Sequence, residues 1–279
     1  MIENLVFSSG GIMGYAFIGT YKYLEEHKLI DNIKNIAGCS TGSIMALNVS
    51  LGFSSNEIEK IAKGIDFSKL VNQNNNILDM VDNYGYENGE YLIKILKILL
   101  KTKTNNEDIT FKEHYELFKK KLIIVGCNFC KIKVEYFNHK TQPDMKIWEA
   151  IRISCSIPLL FTPYKYKDCL YVDGALIEPC PTNYFKDQKK TLGILLNSNN
   201  KERNESTDFK TYLSNLIFFN IRNSVKRKKQ KKNNITINLN KYNDLSNFKL
   251  SDDLKDEYIK MGYEITKDKL PEIIKYFES

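Results

Sequence analysis

The stretch IKNIAGCSTGSIMALNVS, residues 33–50, changes character in its middle. Its first six residues read as a strand, and residues 43–50 carry the apolar spacing of a helix. The turn between them, Gly38-Cys39-Ser40-Thr41-Gly42, matches the pattern G-x-S-x-G. In a nucleophile elbow the serine occupies a tight strand-to-helix bend, and the flanking glycines let neighbouring backbone approach without a side-chain clash. A plain Gly-Ser helix cap would look similar. The strand before the turn and the helix after it favour Ser40 as a catalytic nucleophile.

A second glycine-rich turn precedes the first. FSSGGIMGYAFIG, residues 7–19, follows the apolar run NLVF and leads into a helical pattern. Backbone N–H groups at the start of a helix lack partners and attract anions or developing negative charge. Further strands are expected at 121–129, 133–138 and 191–197, with helices at 15–27, 43–51, 56–63, 90–101 and 146–154. Strands alternating with helices imply a mainly parallel sheet covered on both faces, in a three-layer α/β/α arrangement with ligands at the carboxyl ends of the strands. NQNNN at 72–76 and the polar stretch 198–208 are expected loops. Without repeats or a long linker, residues 1–279 read as one unit, with a motif-bearing core at about 5–185 and a helical, basic C-terminal portion at about 209–279.

Composition limits the classes of function. The chain has 279 residues, 42% of them hydrophobic, enough for a large α/β core. No apolar run reaches membrane-spanning length, and MIENLVF enters a strand at once. The expectation is a soluble cytoplasmic protein; the Lys-, Asn- and Ile-rich composition points to a bacterial or viral source, and host cytoplasm if viral. Six cysteines without a secretory signal are expected to stay reduced. CNFC at 127–130 has zinc-like spacing but no second pair, and it continues a buried-strand run, so a packing role is expected. The net charge of +7 owes much to KRKKQKK at 226–232. With no nucleic-acid-binding motif beside it, an anionic membrane surface is the better partner.

A serine nucleophile needs a base, and the chain holds only His27, His114 and His139. The best acid candidate, Asp173 in YVDGALIEPCP, has no histidine after it, so an order Ser, acid, His is excluded for this residue. A carboxylate acting directly on Ser40 is the simpler arrangement.

Four motifs in this order, SGGIMG (9–14), GCSTG (38–42), ISCSIPLLFTP (153–163) and VDGALIEPCP (172–181), resemble the patatin-like phospholipase family from about Leu5 to Phe185. The resemblance implies a lipid acyl hydrolase of the phospholipase A or lysophospholipase type, working without metal or cofactor. It makes Ser40 the nucleophile and Asp173 the base, frames an oxyanion hole with Gly10, Gly11 and Ile12, and places Leu159, Leu160 and Phe161 in the acyl cleft. Ser9 stands where a first glycine is common, Ala175 replaces a glycine, and Met13 stands where the family usually has Arg or Lys. The missing charge at Met13 leaves the holding of a phosphate head group open. A neutral-lipid or small-ester hydrolase with the same pair, or a degenerate lipid-binding protein, are the rival readings. In residues 212–232, Leu213, Ile217, Ile221 and Val225 recur every fourth position as the buried stripe of a helix. Lys226 through Lys232 then form either a solvated loop or a contact with anionic lipid.

Overall fold

The structure, a computed structural model, describes residues 1–70, 81–198, 209–228, 231–239 and 250–279. In chain order, the N-terminal half builds β1 (Asn4–Phe7), α1 (Tyr15–Glu26), β2 (Asn35–Cys39), α2 (Thr41–Ser50), α3 (Ser55–Gly64), β3 (Gly85–Glu87), α4 (Glu90–Thr104), α5 (Phe111–Phe118), β4 (Lys121–Asn128) and β5 (Lys133–Phe137). There follow α6 (Ile147–Ser154), β6 (Leu159–Phe161), β7 (Tyr164–Tyr166), β8 (Cys169–Asp173), β9 (Thr191–Ser198), α7 (Phe209–Lys228), β10 (Asn234–Leu239) and α8 (Asp252–Glu278).

The main sheet has the order β10-β9-β1-β2-β4-β8-β7, with β5 also on β4. Its first five strands run parallel, while β5, β7 and β8 are antiparallel to their neighbours. All four residues of β1 are buried, as a strand covered on both faces requires. Alternation still sorts them: Leu5 and Phe7 join Ile36, Ile124 and Ile194 in the large core beneath the helices. Val6, Ala37, Ile123 and Leu195 face the other way, against Cys180 and Val225. The two faces are therefore covered unequally, by a full helical layer on one side and by α7 with short 3-10 turns on the other.

One edge of β4 decides the position of the site. β2 pairs with residues 121–125 of β4, and β8 pairs with residues 126–128. β5 pairs with residues 124–128 and so occupies the opposite edge. β2 and β8 must share an edge, and because β8 runs antiparallel, their carboxyl ends meet head to head. Cys39 lies beside Val125 and Asp173 beside the next residue, Gly126.

The expected strands and helices all form, with ends shifted by a few residues. Strands β3, β6 and β7 were not expected, because three residues are too few to show a period. The C-terminal portion, expected to be helical, also contributes β10, which extends the sheet beside β9. Its burial alternates strictly, as expected for an edge strand. Helix α8 lies on α1 through two glycines. A Cβ on Gly19 would fall on the carbonyl of Ile259, and one on Gly262 on that of Ala16. Segment 72–76 and positions 199–208 of the expected loops lie outside the described residues. Among the described residues, no helix is long and apolar enough to cross a membrane.

Candidate active site

Ser40 is the residue between β2 and α2, with φ of 53° and ψ of −128°. A non-glycine residue at positive φ stores strain of about 1–3 kcal/mol, which surrounding contacts must hold in place. The two elbow glycines show how tightly it is held. A Cβ on Gly38 would overlap the backbone of Gly42 and Ser43, and a Cβ on Gly42 would overlap the carbonyls of Phe7 and Ser8. Helix α2 thus sits directly on the end of β1, and only glycine permits it.

Ser40 Oγ donates to Asp173 Oδ2 at 2.7 Å, and both residues are buried. The other carboxylate oxygen accepts from the backbone N–H of Ala175 at 2.8 Å. Burial pushes the Asp173 carboxyl up from its usual 3.8 to about 7, while the bonds from Ala175 and Ser40 pull the other way. Desolvation dominates because no cation offsets it among the groups acting on this carboxyl. The three histidines sit elsewhere. His27 stacks on Tyr23, His139 stacks on Tyr115, and His114 is buried with Nε2 2.9 Å from Ser50 Oγ. Cys39 is fully buried and its thiol is held well above the usual range, first by burial and then by Asp173, so it packs as a neutral side chain.

Two serines at the end of α6 grip both members of the pair. The backbone N–H of Ser40 donates to Ser154 Oγ at 2.8 Å, and the backbone N–H of Asp173 donates to the carbonyl of Ser156 at 2.9 Å. Arg152, buried one turn earlier, anchors this corner. Its guanidinium donates to Ser156 Oγ at 2.6 Å and to the carbonyls of Asn88 and Thr162, each at 2.9 Å. Carbonyl oxygens in place of a carboxylate make it a structural clamp. Sequence reading quoted Ser154 and Ser156 within a motif without giving them a task. Their role depends on contacts 114 residues away in the case of Ser154, which no local pattern reveals.

Gly10 and Gly11 line the same cavity as Ser40 and Asp173. Gly11 has φ of +54° and opens a 3-10 turn running to Gly14, whose first N–H groups have no acceptor within the turn. A Cβ on Gly10 would press into Leu196. Thr41 Oγ1 donates to the carbonyl of Gly11 at 2.8 Å and so ties this turn to the elbow. Ile12 also belongs to the turn, but its side chain lines a second cavity on the other side. Met13 lines the cavity of Ser40. Ile221, Arg222 and Val225 of α7 form a further wall, so the cavity has a basic residue on its edge that sequence reading had not placed there.

Leu159, Leu160 and Phe161 line neither cavity. They form β6, paired with β3, and Phe161 is buried with the Arg152 guanidinium 5.2 Å from its ring centre. From the segment 153–163, Ile157 is the residue that reaches the cavity of Ser40. Side chains of Lys226–Lys228 and residues 229–230 lie outside the described residues.

A strand-to-helix serine at positive φ, hydrogen-bonded to a buried aspartate beside a glycine turn, defines an α/β protein of the serine hydrolase class. The family profile described as patatin-like phospholipase matches residues 5–186, and the chain belongs to that family. It is 32% identical over 209 residues to the uncharacterized protein R571 of Acanthamoeba polyphaga mimivirus, covering 74% of this chain and 69% of that one. It is 29% identical over 225 residues to the probable lipid hydrolase 463L of Invertebrate iridescent virus 6, covering 77% and 73%. Among solved structures, that of VipD from Legionella pneumophila superposes with a TM-score of 0.70 at 16% identity, over 97% of this chain and 67% of VipD.

Proposed function

We propose that the protein hydrolyses fatty-acyl esters of phospholipids or lysophospholipids, with Ser40 as nucleophile and Asp173 as its proton acceptor. The observation that carries this reading is the 2.7 Å bond from Ser40 Oγ to a buried carboxylate at a strained elbow. Ser40 Oγ attacks the ester carbonyl as its proton passes to Asp173. The oxygen that gains charge is met by N–H groups of the Gly10-Gly11 turn, fixed before the reaction begins. Collapse of the tetrahedral intermediate releases the alcohol, which takes the proton from Asp173, and leaves Ser40 acylated. Water then attacks the acyl-enzyme, gives a proton to Asp173, and the released Ser40 recovers it. A carboxyl near 7 suits both halves, since it can take a proton and return it near neutral pH.

Arg222 at the cavity edge favours a phosphodiester substrate over a neutral lipid, and supplies from α7 a charge that Met13 does not. Docking at an anionic lipid surface fits the same helix. Tyr212, Leu216 and Phe219 are at least half exposed on α7, whose Ile221, Arg222 and Val225 line the cavity, and the basic run 226–232 starts at its end. The viral relatives are compatible with action in a host cytoplasm.

Labelling with a fluorophosphonate, followed by mass spectrometry of products from mixed phospholipid vesicles, tests the reading. Label on Ser40 together with released fatty acid supports it. Absence of both, in folded protein, assigns the chain to lipid binding. Arg222→Gln should lower turnover of phospholipid more than that of triacylglycerol; equal losses would support the neutral-lipid reading.

A further inference from the structure

We infer that the cavity enclosed by α1, α2, α3 and α4 receives the fatty-acyl chain of the ester that Ser40 attacks, an inference that rests on the hydrolase reading above. This second cavity adjoins the first through Gly11, which lines both. Thr41, the residue after the nucleophile, also lines it and is bonded to Gly11. An ester carbonyl placed at Ser40 is therefore next to the point, between Thr41 and Gly11, where the two cavities adjoin. Nothing lies within 4 Å of where a Cβ on Gly11 would stand, so the passage beside this turn is open.

The walls have the chemistry of a hydrocarbon site. Ile44 comes from α2, Ile58 and Ile61 from α3, and Leu92, Ile95 and Leu99 from α4. The cavity gives the centre of a water-sized sphere about 120 Å³ of room, roughly ten times what one water needs. A recess of that size lined almost wholly by hydrocarbon suits an apolar chain better than water. Tyr15, Thr41 and Asn48 are the lining residues with polar side chains, and they donate to the backbone carbonyls of Ala62, Gly11 and Ile44 respectively.

The segment Leu159–Phe161, by contrast, forms β6 with Phe161 against Arg152, and lines neither cavity. The acyl chain and the leaving alcohol are thus received in different cavities that adjoin at Gly11. The alcohol side is the one that carries Arg222.

Two variants and one binding measurement test this. Ile61→Trp and Ile65→Trp each place an indole in the cavity from a half-buried position. For each, kcat/KM is compared on p-nitrophenyl palmitate and p-nitrophenyl butyrate below their aggregation limits. The ratio of palmitate to butyrate should fall about tenfold or more in each variant, as several methylenes lose their contacts. Palmitate binding to Ser40→Ala protein, read by calorimetry, should weaken when Ile61→Trp is added. An unchanged ratio in both variants with unchanged palmitate binding would overturn the inference. If the unmodified protein cleaved neither ester yet bound palmitate in this cavity, the hydrolase reading would fail and the acyl site would stand.

Discussion

Ser40 and Asp173 are 133 residues apart in the chain, and their side chains meet at 2.7 Å because β2 and β8 end against each other along one edge of β4. The register places Cys39 and Asp173 beside successive residues of β4, so the nucleophile turn and the aspartate turn emerge at the same point of the sheet. The pair is set by backbone pairing before any substrate arrives.

Such a pair should behave as a unit. Ser40→Ala and Asp173→Asn are each expected to lower kcat/KM for a soluble ester by at least roughly a thousandfold, and the double variant should be little slower than either. Steady-state rates of the three variants check this. A double variant slower by the product of the single losses would show two independent contributions.

Asp173 must be ionised to accept the Ser40 proton, and burial holds its carboxyl near 7. The value of kcat/KM for an uncharged monomeric ester should therefore rise roughly tenfold per pH unit below about pH 7 and level off above it. A profile that is flat from about pH 5 to 9 would remove Asp173 from the proton path.

The same burial makes the residue costly to stability. Its folded-state value lies above the usual 3.8, so the unfolded chain loses this proton first, and stability falls as pH rises from about 4 to 7. Asp173→Asn keeps the shape without the charge. It should be more stable than the unmodified protein at about pH 8, by on the order of 2–4 kcal/mol, with the gap closing toward about pH 4. Urea unfolding at the two pH values measures it, and a gap independent of pH would contradict the assignment.

Ser154 is expected to act as a positioning residue. Ser154→Ala leaves the N–H of Ser40 without its acceptor at a strained backbone, a loss of about 1–3 kcal/mol. The expectation is a reduced kcat with KM nearly unchanged, and recovery in Ser154→Thr, which keeps the hydroxyl. Equal failure of the Ala and Thr variants would mean that packing volume, and not the hydrogen bond, is what matters.

Much of the fold can be read in the sequence because its signals are local. The five expected strands have runs long enough to show apolar character, and Gly38 is required by backbone contact with Gly42 and Ser43, only a few residues away. The absence of a histidine after Asp173 likewise needs only the chain order. By these means the sequence determined the α/β class, the serine and the aspartate.

Tertiary structure decided everything that depends on which distant segments touch. The pairing of both β2 and β8 with one edge of β4, the grip of Ser154 on Ser40, and the arrival of Arg222 at the cavity each join separate segments of the chain without a periodic trace. The apolar residues of α1 to α4 look in sequence like ordinary core positions, since a helix stripe facing a cavity has the same spacing as one facing a neighbour. Hydrophobic patterning specifies that a face is withdrawn from water, and only the packing of the helices decides whether that face meets another side chain or a cavity.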